Sequence, residues 1–118
     1  MTIEERASGG VTILDVRGRM TFEVLWDMLL AKRVRQLLKE GHKRILLNLE
    51  GVPYVDTTGV CNVVEAYVAT RRQNGFLKLL HLTPHVREVL TVTRLLSVFE
   101  AYDAEADAVA SFGPNRPT

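Results

Sequence analysis

The chain reads as a single α/β domain with a mostly parallel sheet of four or five strands and about four helices. Three observations lead there. Short apolar or β-branched runs alternate with segments whose apolar residues recur at helical spacing. Ile45-Leu46-Leu47-Asn48-Leu49 is almost continuously apolar, as in a strand buried on both faces beneath crossover helices. The 118 residues, 47% apolar and 25% charged, fit one compact core and not a disordered chain.

The elements follow in order. Val11 to Val16 is rich in β-branched residues and stops before Gly18, so it reads as a strand. Gly9-Gly10 is a turn ahead of it, and Thr2 to Arg6 a further strand before that. From Phe22 to Lys39 the apolar positions are Phe22, Leu25, Trp26, Leu29, Leu30, Val34, Leu37 and Leu38, a helical stripe, with Val24 and Met28 off it. Thr21 is the expected N-cap and Gly41 the terminator of a helix near 22–40. After the Ile45–Leu49 strand, Gly51 to Val55 is a short connection. Asp56-Thr57-Thr58-Gly59 then opens a helix near 58–73. Its stripe of Val60, Val63, Val64, Tyr67 and Val68 is expected to face the core, leaving Asn62 on the free side. Asn74-Gly75 ends it. Phe76 to Leu82 is the next strand; Thr83-Pro84 caps and opens a helix near 84–93. Val98 to Tyr102 is a short strand, and Asp103 is the expected cap of an Ala-rich helix near 103–111. Residues 1–112 are thus the domain, and 113–118 are expected to be a disordered tail.

Composition narrows the function classes. Fifteen basic and fourteen acidic side chains leave a net charge of +1, so no nucleic-acid or anionic-membrane partner is expected. The cluster Lys32, Arg33, Arg35, Lys39, Lys43 and Arg44 reads as a solvated helix end, where cations suit the dipole. Cys61 is the sole cysteine, which rules out an intrachain disulfide or a CxxC zinc site; it reads as a small buried packing residue. The polar stretch Met1 to Ser8 lacks a signal-peptide core, and every apolar run is too short to span a bilayer. A cytoplasmic location is expected. His81 and His85 straddle a strand end and a helix start, so no metal pair is expected. Walker, dinucleotide and nucleophile-elbow motifs are all absent. No cofactor is expected, and the chain does not read as an enzyme.

What stands out is Asp56-Thr57-Thr58-Gly59, after a buried strand and at a helix start. Functional groups of open α/β sheets gather beyond the carboxyl ends of their strands. Asp and Thr are also ordinary N-caps, and Gly eases a tight entry. Pattern alone leaves both readings open.

The sequence resembles the STAS domain family (sulfate transporter and anti-sigma factor antagonist) in its stand-alone bacterial form. The likeness is carried by Val16-Arg17-Gly18-Arg19-Met20, by Ile45 to Leu49, and above all by Val55-Asp56-Thr57-Thr58-Gly59-Val60. Leu82-Thr83-Pro84-His85-Val86-Arg87-Glu88-Val89-Leu90, Thr93-Arg94-Leu95 and Val98-Phe99 extend it over roughly residues 8 to 112. The resemblance implies a binding switch. The hydroxyl after the Asp is the phosphoacceptor, which falls on Thr57. The partner is an anti-sigma factor serine/threonine kinase, whose phosphorylation of the antagonist ends the binding; a phosphatase restores it. Docking is expected around Asp56, Thr57, Thr58 and Gly59, extending to Asn62, on a monomer or weak homodimer. The alternative within the family is a non-phosphorylated scaffold or dimerisation module, with Thr57 only a cap residue. Three departures are visible. The acceptor is Thr in place of the usual Ser, Gly18-Arg19-Met20-Thr21 replaces a frequent Gly-Glu-Leu-Asp, and the usual glycines at Cys61 and Arg94 are missing.

Overall fold

The computed structural model describes residues 1–22 and 29–113. The expectations for Val24, Leu25, Trp26 and Met28, and for the tail beyond Gly113, lie outside the described residues. Five strands form one sheet in the order β1-β2-β3-β4-β5: β1 Thr2–Ser8, β2 Val11–Arg17, β3 Arg44–Gly51, β4 Phe76–Leu80 and β5 Ala101–Tyr102. The helices are α1 Leu29–Lys39, α2 Thr57–Arg72, α3 Pro84–Val92 and α4 Glu105–Ser111. β1 and β2 are antiparallel, joined through Gly9 and Gly10 at φ 57° and 79°. Two successive positive φ angles match the right-handed strand twist in a tight hairpin, which is why two glycines stand there. The remaining pairings are parallel.

Adding parallel strands one after another in a single direction, with right-handed crossovers, puts the connecting helices on one face. The main core lies there. Leu14, Val16, Ile45, Leu47, Leu49, Leu77 and Leu79 from the strands meet Leu30, Val34 and Leu37 of α1, Val63 and Ala66 of α2, and Val86 and Leu90 of α3. Among the described residues the opposite face carries only α4, packed through Ala108 against Val11, Ile13, Leu46 and Leu80. Charge completes what that small cluster begins. Arg6 donates to both Asp15 and Glu105, tying β1 and β2 to the first turn of α4. These contacts, with Glu105 foremost, push the Arg6 guanidinium pKa up. The same guanidinium holds the Asp15 and Glu105 carboxyls below the usual carboxylate range. Lys78, nearly buried, reaches Ser111 at the other end of α4 through its Nζ, 3.0 Å from both the carbonyl and the hydroxyl.

Helix ends follow their local chemistry in most places. Gly41, at φ 89°, closes α1: its N–H donates to the Leu38 carbonyl, and that of His42 to Leu37. Asn74 at φ 61° does the same for α2, and Arg94 at φ 63° for α3. The Arg94 position, where the resemblance implies a glycine, is therefore a left-handed one. One expected cap holds in position but not in its side-chain bond, and another is corrected. Thr83 sits at the N-cap position of α3, but its hydroxyl donates across to the Val52 carbonyl at 2.7 Å. Asp103 does not cap α4, which begins after Ala104; its carboxylate pairs with Arg87 at 3.3 Å. The last strand is shorter than expected, because Val98 is exposed and the chain turns at 94–99 before pairing.

Candidate functional site

Parallel pairing places the β2–α1 and β3–α2 connections side by side at the carboxyl end of the sheet. Backbone bonds zip them together. Gly18 N–H donates to Gly51 O at 2.8 Å, Met20 N–H to Tyr54 O at 3.0 Å, and Asp56 N–H to Met20 O at 3.2 Å. Met20 and Val55 form an isolated parallel bridge there.

Asp56 locks this zipper. It is the N-cap of α2, in extended conformation, and its Oδ1 accepts from Gly59 N–H at 3.1 Å. Its Oδ2 accepts from Phe22 N–H at 2.8 Å, across thirty-four residues of sequence. Donation from Phe22, then from Gly59 and Thr58, holds the Asp56 carboxyl below the usual carboxylate range. One side chain thus satisfies orphan N–H groups of α2 and fastens the neighbouring loop.

Gly59 lies beneath that loop. A Cβ on it would stand 2.1 Å from the Met20 carbonyl oxygen. Its smallness is required for the two loops to touch, and it is buried, so it underlies the rim and is not part of the outer surface. Thr57, the first helical residue, is exposed, and Thr58 is half-buried. The capping oxygen belongs to Asp56 and not to either threonine.

Beside Thr57 is a cavity of about 300 Å³, lined by Tyr54, Thr57, Val60, His85, Val89 and Thr93 among others. His85 stacks on Tyr54, with centroids 4.5 Å apart and planes 13° apart, and its Nε2 is 3.1 Å from the Val55 carbonyl. The Arg19 guanidinium lies 4.9 Å from the Tyr54 ring centroid and joins this stack. Arg19 and His85 are each noted in the sequence, but their meeting at Tyr54 is not expected from it. Arg19 and Tyr54 come from two separate loops and His85 from the first turn of α3, and no spacing announces the stack.

Two expectations about α2 are overturned. Asn62 is fully buried: its Oδ1 accepts from Ala31 N–H at 3.3 Å, and its Nδ2 donates to the Thr58 carbonyl at 3.4 Å. Cys61 is exposed, on the surface where Asn62 was expected. The cause is a rotation of the buried line. It runs Gly59, Asn62, Val63, Ala66, Thr70, while Val60, Val64, Tyr67 and Val68 are half-buried at its flanks. Small residues let α2 lie close to α1 and under the Met20 loop, and the large valines pack better at the margins than at the line of closest approach.

A family model of the STAS domain matches residues 2–108. A protein of Bordetella bronchiseptica named as an anti-sigma factor antagonist, BtrV, is 33% identical over 73 residues, 62% of this chain; the match spans 63% of that protein's length. The crystal structure of a protein of Thermotoga maritima, titled as an anti-sigma factor antagonist, superimposes with a TM-score of 0.83 at 24% identity, over 92% of both chains. The phosphorylated form of the Bacillus cell fate determinant SpoIIAA superimposes with a TM-score of 0.71 at 16% identity, over 94% of this chain and 99% of that one. At those identities the two superpositions establish the fold.

Proposed function

We propose that this chain, which belongs to the STAS domain family, is an anti-sigma factor antagonist that binds an anti-sigma factor kinase through the rim around Thr57 and is released when Thr57 is phosphorylated. The observation that carries the reading is the placement of the Thr57 hydroxyl. It is exposed at the first residue of α2, on a loop pair clamped by Asp56, beside a cavity open to a partner side chain. The BtrV and SpoIIAA relatives support the role by their names and forms. Among the described residues no helix is long and apolar enough to cross a membrane, and a cytoplasmic site of action suits such a partner.

The mechanism is electrostatic. A phosphate adds about −1.5 to −2 charge. The Asp56 carboxylate already holds the Gly59 N–H, so a phosphate on Thr57 gains less from the helix N-terminus than an empty one would give and remains turned to solvent. Its effect falls on the partner: one like-charge pair about 5 Å apart costs roughly 3 kcal/mol at an effective dielectric of about 20. That is on the order of a hundredfold in affinity. A phosphatase reverses it.

The test is phosphate transfer from the cognate anti-sigma kinase, with the modified residue mapped by mass spectrometry. Incorporation at Thr57 that disappears in Thr57→Ala and persists in Thr58→Ala supports the reading. Binding to the kinase without incorporation would favour the non-phosphorylated scaffold, and incorporation at Thr58 would reassign the acceptor.

A further inference from the structure

The C-terminal halves of α1 and α2 enclose a cavity of about 250 Å³, roughly 20 Å along α2 from Thr57 at 1.5 Å per residue. Its floor is Leu38, Val68 and Ala69, and its rim carries Arg35, Lys39 and Arg72. All three cations are exposed, and among the described residues none of them pairs with a carboxylate. Glu65, the carboxylate on this lining, is outnumbered three to one. Helix dipoles account for Lys39 and Arg72 in last turns. They do not account for Arg35, a turn earlier, nor for the convergence of cations from two helices on one apolar depression.

We infer that this groove is a second docking surface, for an acidic protein segment that inserts an apolar side chain between flanking carboxylates. The chemistry selects this occupant over others. The cavity is below the roughly 300–1,000 Å³ of small-ligand pockets and suits an anchoring side chain. Among the described residues no aromatic side chain lines it to stack a base. Its apolar atoms are recessed instead of protruding, which suits a partner side chain and not a bilayer. With Thr57 at the other end of α2, the domain can hold two partners at once.

The probe is a short fluorescent peptide with two leucines one helical turn apart, flanked by glutamates, titrated against the full chain by anisotropy and by amide chemical shifts. Expected are saturable binding that weakens as salt is raised, and shifts confined to the last turns of α1 and α2. Charge reversal of two rim residues, in the pair Arg35→Glu and Arg72→Glu, should lower affinity about tenfold or more with an unchanged thermal melt. If that pair fails to fold, Val68→Asp, which places a charge on the floor, serves the same purpose. The Thr57→Asp variant should bind the peptide as well as the parent, which keeps this surface distinguishable from the phosphorylation switch. The idea is overturned by absent binding, by shifts centred on the Thr57 loop, or by equal affinity for the glutamine version of the peptide. Tighter binding to anionic vesicles than to the peptide, lost on charge reversal, would also overturn it in favour of a lipid surface.

Discussion

The two ends of α2 are built from similar parts and to different effect. Each end has a glycine pressed under a backbone carbonyl: Gly59 beneath Met20 O, and Gly75 beneath Lys43 O, where a Cβ would stand 2.1 Å and 2.6 Å away. At the C-terminal end the Lys43 contact also crosses the fold, but the helix end itself is closed by local hydrogen bonds, with Asn74 in the left-handed region and Gly75 N–H returning to the Thr70 carbonyl. At the N-terminal end it joins loops far apart in sequence, and Asp56 fastens them. A helix end assembled from its own neighbours needs only the right turn residue. One assembled across the fold sets the position of Thr57 through contacts between distant loops.

The sharpest way to break the contrast is Gly59→Ala. The new methyl meets backbone and not a flexible side chain, so the loops must part, at a cost of about 3 kcal/mol or more. Gly75→Ala should cost less, roughly 1–3 kcal/mol. Urea denaturation gives both values. Amide shifts around Met20 and Thr57 should move only in the first variant; equal costs and equal shifts would erase the distinction between the two ends.

Next in size is Asn62→Ala, which leaves the buried Ala31 N–H without its acceptor and should cost about 1–3 kcal/mol. A loss near zero would mean that α1 and α2 do not depend on this bridge.

Asp56→Ala removes a cap and should cost about 1 kcal/mol. Asp56→Asn sharpens the same point through pH. Because the folded-state pKa of Asp56 is lowered, its contribution is fully present above the ordinary carboxylate value near 4 and is lost as pH falls through the depressed one. Asp15 and Glu105 have the same sign. The wild-type melting temperature should therefore fall below about pH 4, and Asp56→Asn should show a shallower fall in that window, with no change above it.

Smallest are the changes that touch neither glycine nor cap. Arg94→Gly relieves a left-handed arginine and should stabilise by about 1 kcal/mol, leaving Thr57 undisturbed, as a local helix end should. Thr57→Asp should alter stability by less than about 1 kcal/mol, since the benefit of a helix N-terminus is shared with Asp56. Under the proposed function its consequence belongs to binding, read by calorimetric titration against a candidate anti-sigma kinase.

The sequence by itself determined the alternation of strands and helices, the doubly buried β3, the hairpin at Gly9-Gly10 and the stops at Gly41 and Asn74-Gly75. Each depends on a residue and its near neighbours, through period, β-branching or a positive φ. It also marked Asp56 to Gly59 as the singular segment, without settling whether that segment is a cap or a site. The tertiary structure decided that Asp56 is the cap and a cross-loop clamp, that Asn62 turns inward and Cys61 outward, and that Arg19 joins Tyr54 and His85. It also brought Arg72 to Arg35 and Lys39. The physical reason is the same in each case. Rotation of a helix about its axis is set by what can approach closely, and close approach favours Gly59, Ala66 and a hydrogen-bonded Asn62 over the larger valines beside them. Hydrophobicity along a sequence records which residues avoid water, but not how near a neighbouring loop will come.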